Sequence, residues 1–115
     1  MSRDWVLYVR DMVACCDKVL AYTGGIDRND FAERGIVFDA TVRNLELHGE
    51  AARQVPDAVR ADHPGIEWRK IVGLRNLLIH SYFGVDEDVI WDLVQHRIQP
   101  LRDSLVDLLR RTPQG

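Results

Sequence analysis

The chain has 115 residues, 46% of them hydrophobic and 29% charged, and a formal net charge of −3. That length suits one domain with a real core, and the composition is not that of a disordered chain. The acidic balance argues against a protein that coats nucleic acid nonspecifically, yet leaves room for a local basic site.

From about Asp4 to Thr23, the residues Trp5, Tyr8, Val9, Met12, Val13, Cys16, Val19 and Leu20 recur at spacings of three and four, which predicts an amphipathic helix. Cys15 and Cys16 are adjacent, and neighbouring cysteines rarely pair. They are expected to be two small buried hydrophobes in a reducing compartment, and no other cysteine is present to make a zinc knuckle. Met1 to Trp5 show neither a long apolar core nor a cleavage-like site. No apolar run approaches the roughly 18 residues that span a bilayer. A cytoplasmic protein without a membrane partner is expected.

Gly24-Gly25 supplies a stop, and Asn29 or Asp30 can cap a second helix. This helix carries Phe31, Ile36, Val37, Phe38, Val42, Leu45 and Leu47 towards Gln54, weakened locally by Gly35 and Gly49. Pro56 to Gly65 reads as a connector with room for one short helical turn, closed by His63-Pro64-Gly65. A third helix is predicted from about Ile66 to Ser81, and Phe83-Gly84-Val85 breaks it. The last helix starts near Asp86 to Asp88 and runs through Ile90, Trp91, Val94, Ile98, Leu101, Leu105, Leu108 and Leu109. Pro100 should kink or divide it, and Thr112 to Gly115 should fray. Helices joined by short turns predict one all-α domain, an antiparallel bundle of four to five helices.

The third helix holds the candidate site. It contains Arg75-Asn76-Leu77-Leu78-Ile79-His80-Ser81-Tyr82. On a helical wheel Trp68, Ile71, Val72, Leu78, Ile79 and Tyr82 lie within roughly 60° of Arg75. A permanent charge thus sits in an apolar stripe, where it needs a partner or a purpose. Asn76 and His80 project about 40° apart, whereas Arg75 and His80 diverge by about 140°. A two-fold dimer could bring one residue from each subunit into a shared cleft. Such a set suits attack on a phosphodiester. Histidine moves protons near neutrality, and arginine presents a donor fork matched to phosphate oxygens. RNA carries its own 2′-hydroxyl nucleophile, so its cleavage needs little beyond proton transfer and charge stabilisation. On the residues alone the favoured reading is the plainer one, a helix whose arginine pairs with a carboxylate and whose histidine caps the C-terminal carbonyls.

Two blocks carry a family resemblance. Val42 to Ala52, reading Val-Arg-Asn-Leu-Glu-Leu-His-Gly-Glu-Ala-Ala, resembles the second-helix signature of the HepT-like (DUF86) branch of HEPN domains. His63 to Asn76 and His80 to Asp86 resemble its central block, including the family's Arg-x4-His-x-Tyr motif. The resemblance covers essentially the whole chain and implies an all-α homodimer whose motifs face a shared cleft. It also implies a metal-independent endoribonuclease without cofactor, acting on tRNA or mRNA as the toxin of a type VII toxin–antitoxin pair. The implied partner is a minimal nucleotidyltransferase (MNT-type) antitoxin that silences the toxin by transferring AMP to the motif tyrosine. His80 would then be the general acid/base, Arg75 the phosphate and transition-state binder, Asn76 a supporting group and Tyr82 the modified residue. AMP on Tyr82 would place bulk and negative charge where an RNA phosphate must sit.

Glu46 and Glu50 share a helix face with Arg43. They form either a local ion-pair ladder or a carboxylate that crosses to Arg75, with Glu50 the favoured one. His48, His63 and His96 read as structural or surface residues, lacking the clustering of a metal site. Trp5, Trp68 and Trp91 fit apolar stripes as core or dimer contacts, and Arg110-Arg111 suits a solvated helix end. A metal-dependent hydrolase is disfavoured. The rival to a ribonuclease is a noncatalytic dimeric helical module that binds a nucleotidyltransferase or a nucleotide.

Overall fold

The computed structural model describes residues 4–112. Residues 1–3, and residues 113–115 of the tail expected to fray, lie outside the described residues. Seven α-helices and one short 3-10 turn build the domain, with no strand among the described residues. The all-α bundle expected from the sequence is what forms. None of the helices described is long and apolar enough to cross a membrane.

Helix α1 spans Trp5–Thr23 and begins where the Asp4 carboxylate accepts a hydrogen bond from the Val6 amide at 3.0 Å. Val9, Met12, Cys16 and Val19 form its inner stripe and are almost completely buried. Both cysteines are free and buried, as expected of small hydrophobes, and burial pushes the Cys16 thiol up to about 12.

The helix expected from Asn29 or Asp30 to Gln54 is instead two helices, α2 (Arg28–Ala32) and α3 (Ile36–Arg53). Asp27 caps α2 by accepting from the Asp30 amide at 2.9 Å, displacing the two predicted caps. The break falls at Arg34, whose φ of 53° is the only positive value at a non-glycine position among the described residues. This turn sends the guanidinium inward, over the rings of Phe38 and Tyr82, to an ion pair with Glu87 and the Val85 carbonyl. Tertiary contacts of the side chain therefore compensate a locally unfavourable backbone. Phe31 packs between Phe38 and Trp91, with ring centroids 5.1 Å from each, and ties α2 to the C-terminal helices.

The connector holds a full short helix, α4 (Asp57–Asp62). From it Arg60 donates to the Ala52 carbonyl at 2.9 Å and the Val55 carbonyl at 3.0 Å, satisfying acceptors at the end of α3. Helix α5 (Trp68–His80) is shorter than predicted at both ends. Glu67 has a non-helical backbone, with φ −83° and ψ 65°, and the Trp68 amide turns back to the Ile66 carbonyl at 2.9 Å, so the helix starts only at Trp68. Ser81, with φ −140° and ψ 38°, ends it, and Tyr82–Gly84 form the 3-10 turn.

The last predicted helix is divided into α6 (Glu87–His96) and α7 (Ile98–Arg111). Pro100 lacks the amide that would bond the His96 carbonyl, and its ring would clash there. The chain breaks at Arg97 and seats Pro100 in the first turn of α7, where that amide has no intrahelical partner. Arg102 of α7 then reaches Asp17 of α1 at 2.5 Å.

Helix α3 packs mainly on α1 and α5, and α1 also packs on α7. At the α3–α5 crossing a Cβ on Gly49 would lie 2.3 Å from the Arg75 Cβ and 3.1 Å from the Ile71 carbonyl oxygen. The glycine that weakens α3 by propensity is thus the one that lets α5 approach. Gly73, by contrast, is exposed on α5 with nothing within 4 Å of its would-be Cβ. Gly49→Ala should destabilise the fold by about 1–3 kcal/mol, whereas Gly73→Ala should stabilise it by about 0.5–1 kcal/mol. Thermal and urea unfolding of the two variants checks the contrast.

Candidate active site

The site is built on the antiparallel pair α3 and α5 and on the turn that follows α5. Helix α5 buries only Trp68 and Leu78 fully, so most of the motif lies near the surface. The Arg75 side chain is 20% exposed. Its Nη2 lies 3.0 Å from Glu50 Oε2 across the helix crossing, and its Nη1 donates to Asn76 Oδ1 at 3.0 Å. Nε is buried without a hydrogen-bond partner.

Glu50 is thus the carboxylate that crosses to Arg75. It also accepts from Arg53 at 3.1 Å, while Glu46 stays within its own helix and pairs with Arg43 at 3.3 Å. The Arg75–Glu50 pair lies between an open cleft and a dry ion pair, because the Glu50 side chain is 44% exposed. Solvent therefore screens it, and the guanidinium can change partners at modest cost.

His80 is the last residue of α5 and is exposed. Its side chain makes no hydrogen bond, ion pair or ring contact with a described residue, so it does not cap the helix carbonyls. It does not join the Arg75–Asn76–Glu50 cluster within the chain, in keeping with its divergent direction on the wheel.

Tyr82 departs from the helical expectation. The wheel aligned it with Arg75, but α5 ends two residues earlier and the 3-10 turn swings the phenol towards α3. Its hydroxyl donates to Asp39 Oδ1 at 2.6 Å. The Tyr82 ring packs edge-on against Phe38, with centroids 6.2 Å apart, and the Arg34 guanidinium lies 5.5 Å from its centroid. The hydrogen bond to Asp39, then partial burial, pushes the phenol above its ordinary range, while nearby Arg34 opposes this.

Asp39, Arg34 and Gly49 were not singled out as site residues in the sequence, although a signal for Asp39 exists. Asp39 precedes Arg43 by four residues, Glu46 by seven and Glu50 by eleven, which extends the same helical stripe one turn further back. Arg34 gives no local signal, because its contacts are made across the fold.

The sequence around this site matches a known family. The family described as Ribonuclease HepT-like matches residues 12–108. The chain belongs to the HepT-like family. It is 34% identical over 104 residues to a protein of Methanocaldococcus jannaschii named "Putative RNase MJ1380", covering 90% of this chain and 95% of that one. It is also 34% identical over 108 residues to "Probable ribonuclease HepT" of Thermococcus cleftensis, covering 94% and 98% respectively. No solved structure matches it with significance.

Behind the HepT-like motif, a hollow of about 400 Å³ between α5 and the α6–α7 junction is lined by His48, Ile71, Leu74, Leu93 and Leu101 among others. Neither His80 nor Tyr82 lines it. No group of His, Cys, Asp and Glu able to hold a metal exists among the described residues. His48 is buried with Nε2 unpartnered, and burial lowers its pKa to about 4 from 6.5. Its folded pKa lies below its unfolded one, so its neutral form favours the native state above pH 6.5. The unfolded chain binds a proton as the pH falls from 6.5 towards about 4, and stability is lost in that window. His48→Gln should flatten this part of the stability profile, measured by urea unfolding across the window.

Proposed function

We propose that this chain is a metal-independent endoribonuclease and the toxin of a two-gene pair whose antitoxin is a minimal nucleotidyltransferase. The observation that carries the reading is the state of the motif side chains. Arg75 is held by Glu50 and Asn76, whereas His80 is exposed and uncommitted at the end of the same helix. An oriented cation beside an unengaged imidazole suits general acid–base attack by a 2′-hydroxyl on the adjacent phosphate. The relatives' names point to the same chemistry.

In this mechanism Arg75 exchanges Glu50 for a phosphate oxygen, and its fork of donors stabilises the charge of the transition state. His80 moves the proton, and Asn76 keeps the guanidinium oriented. A homodimer supports the geometry, because a second chain can bring its own His80 or Arg75 across a common cleft. Leu77, Ile79 and Phe83 are exposed by 50%, 43% and 92% beside the motif, an apolar border suited to a second copy. Transfer of AMP to Tyr82 then silences the site by charge and bulk. The rival reading, a noncatalytic dimeric module binding a nucleotidyltransferase or a nucleotide, draws on the net charge of −3 and on the neutralisation of Arg75 by Glu50.

Wild-type chain, shown unmodified by intact mass, should cleave total RNA in excess chelator, and His80→Ala should be inert yet fold as the same oligomer. An absence of fragments from the folded wild type would favour the binding module. Tyr82→Phe should cleave RNA but escape silencing when co-expressed with the nucleotidyltransferase; growth arrest relieved as fully as for wild type would exclude Tyr82 as the control point.

A further inference from the structure

The hydroxyl of Tyr82 is already hydrogen-bonded to a carboxylate. Asp39 Oδ1 accepts the phenolic proton at 2.6 Å, whereas Tyr22, exposed on α1, has no carboxylate partner among the described residues. Asp39 lies in the first turn of α3, where the helix dipole favours a charged carboxylate. The opposite wall is supplied by Arg34. Its guanidinium stands 5.5 Å from the Tyr82 ring centroid and donates to the Tyr82 carbonyl at 3.5 Å and to the Val85 carbonyl. The phenol is therefore pinned between an acceptor for its proton and a cation facing its ring.

We propose that Asp39 is the catalytic base for the modification of Tyr82, so that the modified chain itself supplies the proton acceptor. This rests on the AMP-transfer reading above. The co-reactant is ATP held by the partner nucleotidyltransferase. The Tyr82 oxygen attacks the α-phosphorus, forming an O–P bond as its proton passes to the Asp39 carboxylate. The bond between the α-phosphorus and the bridging oxygen breaks, and pyrophosphate leaves with its electron pair. The products are the tyrosyl–AMP phosphodiester, pyrophosphate and protonated Asp39, which returns its proton to water.

Two features favour a base over a merely orienting contact. The pairing keeps the phenol neutral, since it raises the Tyr82 pKa, so the nucleophile does not form by simple ionisation near neutrality. Arg34 at the ring face also stabilises negative charge as it develops on the phenol. Selectivity over Tyr22 follows, because that tyrosine has no carboxylate among the described residues to take its proton.

The test uses the full chain, purified unmodified, with the nucleotidyltransferase and ATP, following AMP incorporation at Tyr82 by mass spectrometry. Asp39→Asn keeps a hydrogen-bond acceptor but is no base, and incorporation should slow by about 100-fold or more. Asp39 is exposed, so this substitution leaves the core intact, which circular dichroism and melting verify. Replacing Tyr82 by a difluorotyrosine, a more acidic phenol, should restore much of the rate in the Asp39→Asn background. Near-wild-type incorporation by Asp39→Asn would overturn the proposal, as would a slow variant that the fluorinated phenol fails to rescue. Failure of the wild type itself to be modified would overturn the AMP-transfer reading, and this inference with it.

Discussion

The close crossing of α3 and α5 at Gly49 is the contact on which the site depends. Only a residue without a side chain allows the Arg75 Cβ to pass so near the α3 backbone. That approach places Glu50, the next residue on α3, beside the Arg75 guanidinium. The two helices run antiparallel, so the same alignment carries Asp39, near the start of α3, to Tyr82, just beyond the end of α5. One steric allowance thus sets both contacts between motif side chains and carboxylates of α3.

Electrostatics then divides the motif into fixed and free parts. Arg75 and Tyr82 each have an acidic partner on α3, whereas the exposed His80 has none among the described residues. A half-exposed carboxylate partner is a compromise. It compensates the desolvation of the arginine while solvent still screens the pair. Arg34 performs a related service for the turn. It accepts an unfavourable backbone angle and gains an ion pair, two carbonyl acceptors and two aromatic faces.

Much of this was legible in the sequence, and the exceptions have physical causes. The stripe of α1 and the charge of Arg75 within an apolar face were local patterns; spacing put Glu46 and Glu50 on one face, and the fold decides that Glu50 is the one that crosses. The break between α2 and α3 was not visible, because nothing near Arg34 forbids a helix; the distant Glu87 and Val85 decide it. The wheel placed Tyr82 over Arg75 by extending α5 past its true end, and so missed Asp39. Pro100 was rightly expected to divide the last helix, but the break falls three residues earlier because its steric effect reaches back to His96.

The sequence by itself determined that this is an all-α domain, which segments are helical, and that Arg75, Asn76, His80 and Tyr82 belong to one motif. The first two follow from periodicity and spacing, which are properties of neighbouring residues, and the motif is what the family resemblance implies. Only the tertiary structure decided which carboxylates Arg75 and Tyr82 meet, and that His80 meets none among the described residues. Those outcomes depend on how closely two helices approach and where one ends. Both are set by contacts between residues far apart in the chain, at Gly49 with Arg75 and at Asp39 with Tyr82.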